Sequence, residues 1–156
     1  MDIELMAALG KAGAAAVLGL AAVGSAMGTG TAGMAAVGAW KKCYAQSKAA
    51  PFILITFIGA PLSQTIYGMI LMLQVNTAID TLVEGGASFI EWPLMLSAGI
   101  FGGLGMAASA FFQGKAGAAG ADALSETGQG FGNYLMTIGI VETVALFVLV
   151  FMLILI

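Results

Sequence analysis

The chain has 156 residues, of which 60% are hydrophobic and only 8% charged, with a formal net charge of −3. Soluble domains carry about 25% charged residues, so this composition and a mean hydropathy of +1.03 exclude a water-exposed globule and make lipid the natural solvent. The small, scattered charge argues against nucleic acid as a partner, Arg and His are absent, and the single cysteine, Cys43, excludes an intrachain disulfide.

The N-terminus begins Met1-Asp2-Ile3-Glu4, acidic where a secretory signal is basic, and the first apolar stretch is too long for a signal core. It reads as a retained helix. A spanning helix needs about 20 apolar residues. Four segments meet this: Leu9–Trp40, Pro51–Ile79, Pro93–Ala121 and Gly130–Ile156. Pro51 and Pro93 stand at first helical positions, where a missing N–H costs little. The polar connections are then Lys41–Ala50, Asp80–Trp92 and Asp122–Gln129, with Cys43 an ordinary loop residue.

Lys41, Lys42 and Lys48 lie in the first connection and Lys115 near the third, whereas Asp80, Glu84 and Glu91 lie in the second. The positive-inside rule places turns 41–50 and 122–129 in the cytoplasm and both termini outside a multi-pass cell-membrane protein. Lys11 is the one lysine that fits this poorly. Trp40, Tyr44, Trp92 and Tyr134 fall at helix ends, as an aromatic belt requires.

The first and third segments are rich in small residues, with Gly24, Gly28, Ala32 and Ala36, and Gly99, Gly103 and Ala107, at spacing four. Such spacing lets helix backbones approach closely in lipid. The second and fourth segments carry bulky apolar side chains nearly all round. One copy of four helices is expected not to cover its own small-residue faces, which predicts self-association.

A repeat organises the chain into two hairpins, 1–79 and 80–156. Gly24-Ser25-Ala26-Met27-Gly28 corresponds to Ala110-Phe111-Phe112-Gln113-Gly114 at an offset of 86, and Leu62 to Glu142 at an offset of 80. Only the second copy keeps the carboxylate. The fold class is an all-α membrane protein, a duplicated helical hairpin.

Glu142 lies near the middle of the fourth segment. A charge there costs about 2.5–3.5 kcal/mol on insertion scales, so intramembrane ionisable groups mark function. Gln113 and Glu142 are each about 14 residues, or about 21 Å at 1.5 Å per residue, from the third connection and should face each other. Ser63 and Gln64, near the middle of the second segment, reach the same depth. Singly, each has a bland reading: Ser63 bonding its own helix carbonyl, Gln64 and Gln113 acting as interhelical glue, Tyr67 anchoring in lipid. Together, carboxylate, amide and hydroxyl oxygens are hard ligands suited to an alkali cation. Pro61 removes a helix bond and loosens nearby carbonyls. Tyr67, one turn on, brings its hydroxyl within reach of Glu142.

Two patterns carry no function. Gly28-Thr29-Gly30-Thr31-Ala32-Gly33 spells a dinucleotide motif without the strand that it needs. Asp122 and Glu126 read as solvated turn acids, open to a partner below the membrane.

Pro61-Leu62-Ser63-Gln64, Tyr67-Gly68, Gln113-Gly114-Lys115 and Val141-Glu142-Thr143, on duplicated glycine-rich hairpins, resemble the proteolipid subunit of V-type rotary ATPases over essentially the whole chain. The likeness is closest to the bacterial sodium-translocating members, with Ser63 where their usual motif has Thr. The resemblance implies a homo-oligomeric ring turning against a stator membrane subunit that supplies an arginine. It also implies a central-stalk subunit at the cytoplasmic turns, ATP hydrolysis in other subunits, and no organic cofactor. Its implied Na+ site comprises the Ala60 backbone carbonyl, Ser63, Gln64, Gln113 and the ion-carrying Glu142, with Tyr67 as support. The rival readings are the same ring carrying H+, a small four-helix proton-coupled transporter, whose carboxylate would sit in the first helix, and a purely structural membrane oligomer.

Overall fold

The computed structural model describes residues 1–156 as four long helices without strands. The first helix runs Ile3–Ala45, opened by Asp2, whose side chain accepts the Leu5 N–H at 2.8 Å. Forty-three residues make a rod of about 65 Å, twice the ~30 Å hydrocarbon thickness. The third helix, Trp92–Thr127, and the fourth, Phe131–Leu155, complete a hairpin with a very short turn.

These lengths correct the connections expected from the sequence. Lys41, Lys42 and Cys43 are helical, and the first connection is confined to residues 46–51. Asp122 and Glu126 sit on the last turns of the third helix, so the third connection is confined to residues 128–130. A helix leaving the bilayer keeps its backbone bonds, and here an ion pair between Lys42 and Glu126 fastens the two protruding ends together. Asp80 and Glu84 also belong to a helix, and Asp80 pairs with Lys11 at 2.7 Å. That pair accounts for the lysine that the charge rule left misplaced.

The second span, Phe52–Glu84, is broken. Pro51 precedes it rather than entering it, a short α segment Ile55–Gly59 follows, and a 3-10 turn Ala60–Leu62 leads into Ser63–Glu84. Pro61 causes the break, because its ring nitrogen cannot bond back to Phe57. The turn between third and fourth helices uses Gly128 and Gly130 at φ of +66° and +86°, a region that side chains with a Cβ avoid.

The first and third helices pack backbone to backbone. A Cβ on Gly28 would run into the Ala110 carbonyl, one on Gly114 into the Gly28 backbone, and one on Gly99 into Gly13. The spaced small residues named from the sequence are thus largely covered within one chain, contrary to expectation. Lipid-like packing supplies the reason: tight van der Waals contact is the main attraction left when hydrophobic driving force is absent. A different small-residue face stays open, where Gly19 and Gly30 have nothing within 4 Å of an added Cβ. The fourth helix buries only Ile138, Ala145 and Leu149.

Two apolar clusters divide the interior. Val17, Ala21, Leu71, Val75, Met106, Ala145 and Leu149 belong to one, and Leu54, Phe57, Ala121, Leu124 and Ile138 to the other. On the second, third and fourth spans the gap between them falls at residues 60–67, 109–113 and 142. The polar side chains fill that gap.

Candidate ion-binding site

Pro61 shapes the first wall. The tight turn it forces ends at Ser63, whose hydroxyl lies 3.0 Å from the Ala60 carbonyl and 3.1 Å from Gln64 Oε1. The bond to Ala60 is the bland reading of Ser63. The second contact joins it to the polar layer. One turn on, Tyr67 donates its hydroxyl to Glu142 Oε1 at 2.6 Å.

The third helix supplies Gln113 through a gap its glycines permit. Gly114 lies against Gly28 of the first helix, which leaves Gln113 pointing towards the second and fourth helices. Its amide nitrogen donates to Glu142 Oε2 at 3.1 Å, and its oxygen accepts from Gln64 Nε2 at 2.8 Å. Both glutamines are fully buried. Buried amides without partners would cost a few kcal/mol each, and here each side chain satisfies the other.

The structure therefore brings Ser63, Gln64, Tyr67, Gln113 and Glu142, with the Ala60 carbonyl, into one connected layer. Glu142 is held from two sides, while Ser63 and the Ala60 carbonyl make no direct hydrogen bond to it. Ser109 completes the layer and escaped the sequence reading. Its hydroxyl donates to the Val141 carbonyl at 2.9 Å and lies 3.4 Å from Gln64 Nε2. The signal was present: Ser109 precedes Gln113 by four residues, so the two share one helix face.

Chemically, the layer offers one carboxylate and several neutral oxygens inside an apolar protein. No group of three His, Cys, Asp or Glu side chains is present to hold a transition metal. Oxygen donors of this kind suit a hard cation rather than a soft one.

Residues 96–155 match the family model for the C subunit of ATP synthase. The matched stretch takes in nearly all of the third helix and the fourth, with Ser109, Gln113 and Glu142 inside it. The match supports the rotary-ATPase proteolipid family, to which the sequence motifs also point. No curated protein matches the chain.

Proposed function

We propose that this chain is the ion-carrying subunit of a rotor ring in a V-type rotary ATPase, and that the ion is sodium. The observation that carries the reading is Glu142, a carboxylate within an apolar section, gripped by Tyr67 and Gln113 and backed by Gln64 and Ser63. The family match over the second hairpin supports the rotor, and the neutral oxygens beyond the carboxylate support sodium. A proton would need only the acid.

Cation bound to ionised Glu142 makes a neutral pair that crosses lipid at low cost. The bare carboxylate would be expensive there, because desolvating an unpaired charge costs several kcal/mol. Rotation with an empty, ionised site is thereby blocked. At the stator an arginine from another subunit competes for the carboxylate and releases the ion. Each charge moved against 100 mV costs about 2.3 kcal/mol, drawn from ATP hydrolysed elsewhere in the complex. The open face around Gly19 and Gly30 suits close approach of a second copy, as ring closure requires. Positive-inside placement keeps the Lys41–Lys48 end in the cytoplasm, facing the central stalk, and both termini outside.

Sodium and protons then compete for one carboxylate. A hydrophobic carbodiimide modifies the protonated acid, so sodium should slow the modification of Glu142. Gln113→Leu or Gln64→Leu should weaken that protection and leave the reaction itself intact. A labelling rate indifferent to millimolar sodium at every pH would replace the sodium ring with a proton ring.

A further inference from the structure

The first helix gives no side chain to the polar layer, yet it carries a buried hydroxyl at the same level. Ser25 is 2% exposed, and its Oγ has no hydrogen-bond partner. Several other helical hydroxyls bond back to their own helix: Thr31 to the Met27 carbonyl at 2.7 Å, Thr81 to Thr77 and Thr127 to Ala123 at 2.8 Å. A buried hydroxyl left unpaired is costly and calls for a reason.

Packing shows what Ser25 faces. A Cβ on Gly68 would meet the Ala21 Cβ at 2.9 Å, and one on Gly28 would meet the Pro61 Cβ at 2.8 Å. The first helix and the second span therefore run antiparallel, with Ala21 against Gly68 and Gly28 against Pro61. Ser25 lies four residues after Ala21 and three before Gly28, and Gln64 lies four before Gly68 and three after Pro61. Residues at these spacings share a helix face. Ser25 and Gln64 thus oppose each other between the two contacts.

The Gln64 nitrogen donates to Gln113 Oε1 at 2.8 Å, so nitrogen and not oxygen is directed at Gln113. For both glutamine oxygens to face one cation, the Gln64 amide has to turn. Its N–H then leaves Gln113 and needs another acceptor. Ser63 is an expected ligand of the ion, and the Ser109 hydroxyl is engaged with the Val141 carbonyl. The Ser25 hydroxyl is unengaged and stands opposite.

We infer that Ser25 is a positioning residue of the ion site, whose hydroxyl accepts the Gln64 N–H when the amide turns. Gln64 Oε1 and Gln113 Oε1 are then left facing the cation together. The Ser25 proton goes to a carbonyl one turn back on its own helix, a bond that serine readily makes. Ser25 has this role only if Glu142 carries sodium, as proposed above.

The test measures the sodium concentration that halves carbodiimide labelling of Glu142 in the full-length protein, reconstituted in vesicles. Ser25→Ala should raise that concentration about fivefold, the loss of one neutral hydrogen bond, with the oligomer size unchanged. Ser25→Thr keeps the hydroxyl and should keep the parental value. In a Gln64→Leu background, Ser25→Ala should change nothing further, because the donor is gone. A parent protected by sodium beside a Ser25→Ala variant with the same half-point would overturn the role of Ser25 and leave the sodium site standing. So would an equal shift in the Gln64→Leu background, which would mark a general packing effect. A parent indifferent to sodium would overturn both the role and the sodium site.

Discussion

The Tyr67 hydroxyl stands 2.6 Å from Glu142 Oε1, joining side chains 75 residues apart on the second and fourth spans. That contact closes one side of the carboxylate, and Gln113 closes the other at 3.1 Å. The acid is therefore held by donors from two different helices.

Glu142→Gln keeps the shape of the side chain and removes its charge. Carbodiimide labelling and ion transport should both disappear, while the protein still assembles in detergent. Residual ion-coupled transport by this variant would remove Glu142 from the mechanism.

Tyr67→Phe deletes one hydrogen bond to a charged acceptor, an interaction usually worth about 1.5–3 kcal/mol. Sodium protection of Glu142 should then need about tenfold more sodium. The measurement is the sodium concentration that halves the labelling rate. An unchanged value would show that the hydroxyl does not support the bound state.

Two glycines of the first helix should respond differently. Gly28 packs against Ala110 and Pro61 within the chain, so Gly28→Leu should disrupt the chain itself and lower its yield and melting temperature. Gly30 has no neighbour within 4 Å of an added Cβ, so Gly30→Leu should leave the chain folded and impair the ring. Size-exclusion chromatography in mild detergent, with circular dichroism, separates these outcomes. Normal rings from Gly30→Leu would move the subunit interface to another face.

Topology is open to thiol labelling, but the native cysteine is a poor reporter. Cys43 is only 3% exposed, on a helix end with its sulfur near the Ser125 carbonyl. A Lys48→Cys variant in a Cys43→Ala background places the thiol in the exposed connection. An impermeant reagent should label it in inverted vesicles and not in intact cells. Labelling from outside would reverse the assigned orientation.

The sequence by itself determined the solvent, the number of spans and most residues of the polar layer. Lipid imposes a length of about 20 apolar residues on each crossing, and a polar group in such a stretch stands out against it. Hence Glu142, Gln113, Gln64 and Ser63 were legible from composition and depth alone. Helix ends were not, because a helix continues past the bilayer wherever side-chain partners await it, as Lys42 finds Glu126 and Lys11 finds Asp80.

Tertiary structure decided which surfaces meet. Spacing alone shows that Gly24, Gly28, Gly99 and Gly103 share faces, yet leaves open whether the partner is another copy or the same chain. The fold assigns most of that contact to the first and third helices of one molecule, because their backbones can interlock wherever a Cβ is missing. It likewise recruited Ser109, a residue unremarkable in sequence, whose hydroxyl gains importance only once Val141 and Gln64 stand beside it. Depth along a helix is a local property that residue counting recovers. Direction around it depends on neighbours that only the folded chain supplies.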